Sequence, residues 1–340
     1  MIKATHHLTE QETVGQEASA RGPLLLWRNY RFPIAWGEVF GMEADLELEV
    51  GFGDGRYTVY RAAREPKTLF VGLEISSASV ARALRRVKDA GVGNVRIVKV
   101  NAEFAVQHLF APASLANITV NFPDPWPKER HAGNRLLRAP FFELAASRLK
   151  PGGALRLATD HEDYLDFAKR EAGVTGRYAL EAADPPEAVF ETKYALKWKA
   201  QSKGLYYQVF RLMGQLQKVY PVVENYAMPH AILSGTLPQT LRFQKTVTEY
   251  GGGHVVLLEL SRTLGPEELG ERLLFRATIS EPGLQQQVIV SVRAKAGELV
   301  VGLESFGDPV VTKAVKGAVH AVVGWLLAQS PRLGLKQASY

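Results

Sequence analysis

The 340-residue sequence predicts an α/β fold, a mostly parallel sheet covered by helices and closed by an antiparallel strand, followed by a smaller α+β domain. Three observations predict it. Apolar strand-like runs alternate with helical stretches from residue 46; a glycine-rich turn follows the first run directly; and the texture changes after Gly214. The length itself exceeds the usual single domain, which favours two cores.

LELEV (46–50) reads as the first strand and runs into GFGDG, after which TVYRAAREP (58–66) reads as a helix ending before Pro66. TLFVGLEI (68–75) is the second strand. SSASVARALRRVKDAG (76–91) is a helix whose Val80, Leu84 and Val87 share a face and whose serines can cap its start. VRIVKV (95–100) and ITVNF (118–122) add two strands. RLLRAPFFELAASRL (135–149) reads as a helix stopped by Lys150-Pro151-Gly152-Gly153, before the strand ALRLAT (154–159) and the helix HEDYLDFAKREA (161–172). Gly173 to Pro186 reads as a loop, and YYQVFRLM (206–213) as the closing antiparallel strand. The expected division is an N-terminal segment 1–39, loosely attached over residues 1 to 22, an α/β domain 40–214, and a domain 215–340. In that last domain β-like runs separated by Gly and Pro precede one apolar helix from about Pro309 to Gln329, expected to lie across an antiparallel sheet.

Composition narrows the chemistry. Cysteine is absent, which excludes disulfides, thiolate metal sites and a cysteine nucleophile, and the eight histidines show no HxxxH spacing, so no metal is expected. No apolar stretch has the length of a membrane span and the N-terminus is polar, which predicts a soluble, cytoplasmic protein. A formal charge of +6 favours a polyanionic partner. Arg28, Arg31, Lys128, Arg130, His131, Arg135 and Arg138 fall beside the segments that carry chemistry.

Those segments sit at strand ends. Gly51 and Gly53 let backbone approach a ligand, and Gly55 follows too soon for a dinucleotide GxGxxG fingerprint, which suits a nucleotide without pyrophosphate. Glu74, ending the second strand, can accept from both ribose hydroxyls, and Asn101-Ala102, ending the third, can meet an adenine edge. Asn121-Phe122-Pro123-Asp124-Pro125-Trp126-Pro127-Lys128 ends the fourth strand, and three prolines in five residues freeze it as a loop. Asp160 ends the fifth strand and should face the same crevice.

With these residues in view, the segments LEVGFGDG, FVGLEIS, NFPDPWPKERH, LKPGGALRLATDHEDY and ETKYALKWKAQSKG resemble the bacterial tRNA (guanine-N7)-methyltransferase family, TrmB type, over about residues 40 to 212. The resemblance implies a class I S-adenosylmethionine (SAM)-dependent methyltransferase fold, Rossmann-like, with SAM as cofactor and the variable-loop guanosine of tRNA as substrate. It implies SAM contacts at Glu49, Glu74, Asn101 and Asp124, and substrate contacts at Lys128, Asp160, Thr192 and Lys193. Asp124 is the candidate catalytic residue. Two positions depart from the family: Asn101 stands where Asp is common, and Ala195 where the Thr-Lys-Phe-Glu motif ends in glutamate. The loss at Ala195 leaves an RNA-binding protein with an impaired site as the alternative, and an enzyme acting on another RNA nitrogen as a further one. The domain after residue 214 lies outside the resemblance, and its basic residues suggest an extension of the tRNA footprint.

Overall fold

The computed structural model describes residues 22–192, 204–214, 220, 227–238, 240–263, 272–295 and 297–340. The chain separates into two compact units, residues 1–222 and 223–340. The expectation for residues 1–21 and the substrate contact at Lys193 lie outside the described residues, as does Ala195.

In the first unit the strands are β1 (Asp45–Val50), β2 (Thr68–Glu74), β3 (Val95–Lys99), β4 (Leu115–Asn121), β5 (Leu149–Thr159), β6 (Tyr178–Glu181) and β7 (Tyr206–Leu212), in the spatial order 3-2-1-4-5-7-6. β1 to β5 are parallel, while β7 runs antiparallel to both β5 and β6. The order reverses between β1 and β4, and the crevice outside the strand ends at such a switch point is where an open α/β sheet takes its ligand.

The helices are α1 (Trp36–Phe40), α2 (Arg56–Arg64), α3 (Ser77–Ala90), α4 (Ala102–His108), α5 (Ala139–Arg148), α6 (Glu162–Thr175) and α7 (Glu187–Phe190). Ser76 caps α3, accepting from Ser79 N at 3.3 Å, as its serines predict. α5 starts at Ala139, not at Arg135, because Pro140 fits only a first turn and the four residues before it are spent on the loop described below.

The alternation in LELEV is not the half-solvated pattern it resembles. Leu46, Leu48 and Val50 are buried on one face, but Glu47 and Glu49 are buried on the other, under α2. Glu47 accepts from both outer nitrogens of Arg61 and from Asn117 Nδ2 at 2.9 Å. A buried carboxylate is tolerable only when so satisfied. The segment Gly173–Pro186, expected as loop, contains β6, a four-residue edge strand too short to announce itself by periodicity.

Before α1 the chain runs along the outer edge of β3, with Leu25 N donating to Ile97 O at 2.9 Å and Ile97 N to Pro23 O at 2.7 Å. Trp27 and Trp36 anchor it, their indole N–H groups donating to Lys99 O at 3.1 Å and Leu109 O at 3.0 Å.

The second unit is an antiparallel sheet of β8 (His230–Ser234), β9 (Thr246–Tyr250), β10 (Gly253–Thr263), β11 (Arg272–Glu281), β12 (Leu284–Lys295), β13 (Glu298–Leu303) and β14 (Gly334–Ser339), ordered 14-8-13-12-11-10-9. Alternate residues such as Leu273, Phe275, Ala277 and Ile279 are buried, each large one contributing roughly 1.5–3 kcal/mol. They pack with α8 (Lys313–Gln329), whose Val315, Val319 and Val322 join the same core. Gly317 permits the approach of Tyr250, whose Cβ would lie 2.6 Å from any added methyl. Among the described residues no helix is long and apolar enough to cross a membrane, and no cluster of three His, Asp or Glu could hold a metal.

Candidate active site

The turn after β1 is built for close approach. Gly51, Gly53 and Gly55 all take positive φ, at 72°, 59° and 78°, and an added Cβ at Gly51 or Gly53 would meet nothing within 4 Å. Gly55 differs, since its Cβ would press on Ala83 of α3 at 2.9 Å. The first two glycines leave space for a ligand, and the third lets a helix pack.

Glu74 faces this turn from the end of β2. Its Oε2 accepts from Gly53 N at 3.1 Å, and its Oε1 from Ile75 N at 2.9 Å and Ser76 N at 3.0 Å. Ile75 beside it is 70% exposed, an apolar surface on the wall of the cleft. At the end of β3, Asn101 caps α4: its Oδ1 accepts from Glu103 N at 2.9 Å and Phe104 N at 3.3 Å. Its oxygen is thus engaged, and what it offers a ligand is the NH2 group.

Across the cleft, the Pro-rich loop is held in a strained shape. Phe122 and Trp126, neither of them glycine, take φ of 51° and 42°. Phe122 N donates to Ala158 O at 2.8 Å, and Arg135 reaches back to donate from Nε to Pro125 O and from Nη2 to Trp126 O, both at 3.1 Å. The Arg135 guanidinium lies 4.6 Å over the Phe167 ring and the residue is only 8% exposed. Arg135 is therefore a brace of the loop and is not presented to solvent like its basic neighbours. Trp126 stacks on His131, with ring centroids 5.8 Å apart and planes 11° from parallel.

A cleft of about 420 Å³ brings together Gly51, Gly53, Glu74, Asn101, Ala102 and Asp124. Glu49 is not on its wall. It lines a smaller adjoining recess of about 80 Å³, shared with Gly51, Gly53, Asn121 and Thr192. There the Thr58 hydroxyl and Asn121 Nδ2, at 3.0 Å, donate to the Glu49 carboxylate. Burial pushes the Glu49 carboxyl up to about 7, against the opposing pull of those two hydrogen bonds and of Arg61. The Asn121 Oδ1 is buried without a hydrogen-bond partner among the described residues. Thr192 is buried, its hydroxyl donating to Val189 O at 2.8 Å.

Lys128 and Asp160 stand on the same strand-end edge but line neither cavity. Lys128 is exposed, its carbonyl accepting from His131 N at 2.8 Å. The Asp160 side chain is 12% exposed and lies 3.9 Å from His161 Nε2. Sequence reasoning missed the roles of Asn121, Ile75 and Thr58. Asn121 opened the most specific motif and could have been singled out, whereas Thr58 became visible only when α2 was laid over β1.

A switch-point cleft with a glycine turn after β1, an acid at the end of β2 and an antiparallel β7 places the molecule among the class I SAM-dependent methyltransferases. Residues 43–207 match a family model described as a putative methyltransferase. Relatives described as tRNA (guanine-N(7)-)-methyltransferase are 43% identical in Thermus thermophilus, 41% in Deinococcus radiodurans and 31% in Thermotoga maritima, each alignment covering 88% of this chain and 95% of the relative. The chain belongs to the tRNA (guanine-N7)-methyltransferase family. An alignment of 302 residues is longer than the 222-residue first unit, so the Thermus relative shares the second unit as well.

Proposed function

We propose that this chain transfers the methyl group of SAM to N7 of the variable-loop guanosine of tRNA. The observation that carries the reading is the cleft in which the glycine turn and Glu74 confront the braced loop bearing Asp124, in a chain of this family.

The residues fit the cofactor. Glu74 retains one lone-pair site, on Oε2, beyond its three N–H donors for a ribose hydroxyl. The Asn121 Oδ1, without a partner among the described residues, and the Glu49 carboxylate offer acceptors for the α-ammonium group. Asn101 has its NH2 for an adenine ring nitrogen, which gives the departure from Asp a physical account. Bound SAM supplies a methyl group on a sulfonium sulfur.

Guanine N7 carries an in-plane lone pair and no proton, so no general base is needed. The residues have to align the base and exclude water, and alignment within a rigid site is worth several orders of magnitude in rate. Asp124 and the fixed loop position the base in this scheme. Asp160 accepts from guanine N1–H and the exocyclic amine, which offsets the positive charge gained on methylation. Lys128 holds a neighbouring phosphate.

Nucleoside mass spectrometry of unmodified tRNA incubated with the protein and SAM should show 7-methylguanosine. Asp160→Ala and Lys128→Ala should each lower turnover, and unchanged kinetics in either variant removes that residue from the scheme. The second unit carries eleven basic and ten acidic residues, against thirty and twenty-five in residues 1–222. The electrostatic weight for RNA therefore falls on the first unit.

A further inference from the structure

Away from the cleft, the outer faces of α2 and α3 form a groove of about 620 Å³ walled by Arg56, Arg82, Arg85 and Arg86, with Tyr60 and Glu191. Helical spacing produces it. Arg82, Arg85, Arg86 and Asp89 recur at i, i+3, i+4 and i+7 on the face of α3 opposite its buried Val80, Ala83 and Val87, and Arg56 and Tyr60 stand one turn apart on α2.

The guanidiniums are only partly engaged. Arg56 and Arg86 share one carboxylate, that of Asp54, at 2.9 and 3.2 Å. Arg82 donates to the Ser79 hydroxyl at 2.9 Å. Arg85 is exposed and has no hydrogen-bond or ion-pair partner among the described residues. Arg64 lies 3.5 Å over the Tyr60 ring, adding a fifth cation and a stacking surface. Asp54, Asp89 and Glu191 offset part of this charge, but all five cations are arginines, whose planar fork matches a phosphate bidentately.

The groove opens towards the site. Arg56 and Arg82 wall both the groove and the recess that holds Glu49, and Glu191 directly precedes Thr192 of that recess. We propose that the α2–α3 groove holds the sugar–phosphate backbone of the tRNA substrate beside its target nucleotide; the proposal rests on the tRNA reading above.

Arg85 is the position to test, because it touches neither the cleft nor the recess. Binding of an unmodified tRNA transcript is measured across a salt series, alongside methylation kinetics and SAM calorimetry. Arg85→Glu should weaken tRNA binding and raise its KM about tenfold, and lower the slope of log Kd against log salt by about one. Arg85→Lys should keep the slope and lose a smaller part of the affinity. Turnover at saturating tRNA, SAM affinity and melting temperature should stay at wild-type values. Unchanged tRNA affinity and slope in Arg85→Glu, while the wild type methylates the same transcript at guanine N7, overturns the groove and leaves the function standing. A wild type that methylates no tRNA overturns both.

Discussion

The two halves of the strand-end edge are held by different means. On the β1–β3 side, the glycine turn, Glu74 and Asn101 are fixed by hydrogen bonds to backbone N–H groups a few residues away or across one strand. On the β4–β5 side, a loop with two non-glycine residues at positive φ is fixed by one buried arginine from farther along the chain. A cofactor pocket needs groups that present donors and acceptors, which local bonding can arrange. A site that aligns two reactants needs a shape the backbone would not adopt unaided, and that takes a tertiary brace.

If the halves divide the work in this way, the largest effect should come from the brace. Arg135→Ala removes two hydrogen bonds and the contact with Phe167, so the loop can relax. Single-turnover methylation should slow by about a hundredfold or more, the order expected for a misplaced reactant. SAM affinity by calorimetry should change less than about threefold, since Arg135 bonds only the loop and leaves the glycine turn, Glu74 and Asn101 untouched. A tenfold loss of SAM affinity would mean the halves are not separable.

On the other side, Glu74→Ala should weaken SAM by about tenfold or more, from the loss of charge-assisted hydrogen bonds worth roughly 1.5–3 kcal/mol. The rate at saturating SAM should be nearly preserved. An unchanged dissociation constant would remove Glu74 from the cofactor site.

Glu49 sharpens the comparison through pH. With its carboxyl raised from 4.5 to about 7, the folded protein binds this proton more tightly than the unfolded chain between those values. Stability of the free protein should therefore fall as pH rises through that window, by on the order of 3 kcal/mol, and level off above it. A cationic cofactor favours the ionised form, so SAM affinity should rise about tenfold from roughly pH 6 to pH 8. Denaturant melts and calorimetry at several pH values measure both, and Glu49→Gln should flatten both profiles. A profile for Glu49→Gln that matches the wild type would assign the dependence to another group.

The smallest effect is expected at Asn101. Asn101→Asp keeps the cap on α4 and should alter SAM affinity by less than about threefold, while Asn101→Ala should cost about 1 kcal/mol of stability in denaturant melts.

Most of the parallel sheet was legible because its strands are short apolar runs, most of them followed by a helix with its own stop signal, and the glycine turn, Glu74 and the FPDPWP loop stand at strand ends in the linear chain. The short helices α1, α4 and α7 were not read. β6 was not legible, being four residues at an edge. β9 and β14 were missed as well: β9 alternates between half-buried and exposed positions and β14 is mostly exposed, so neither shows an apolar period.

By itself the sequence determined the order of the main elements, the glycine turn, the frozen loop and the family resemblance, because all of these depend on neighbours within a few positions. Only the tertiary structure decided that Glu49 lies in a recess beside the cleft, that Asn121 has a buried oxygen without a partner among the described residues, and that Arg135 turns inward while Lys128 stays exposed. The physical reason is common to the three. A charged or amide side chain reads the same in a sequence whether water or protein satisfies it, and which of the two does so depends on what the fold lays over it.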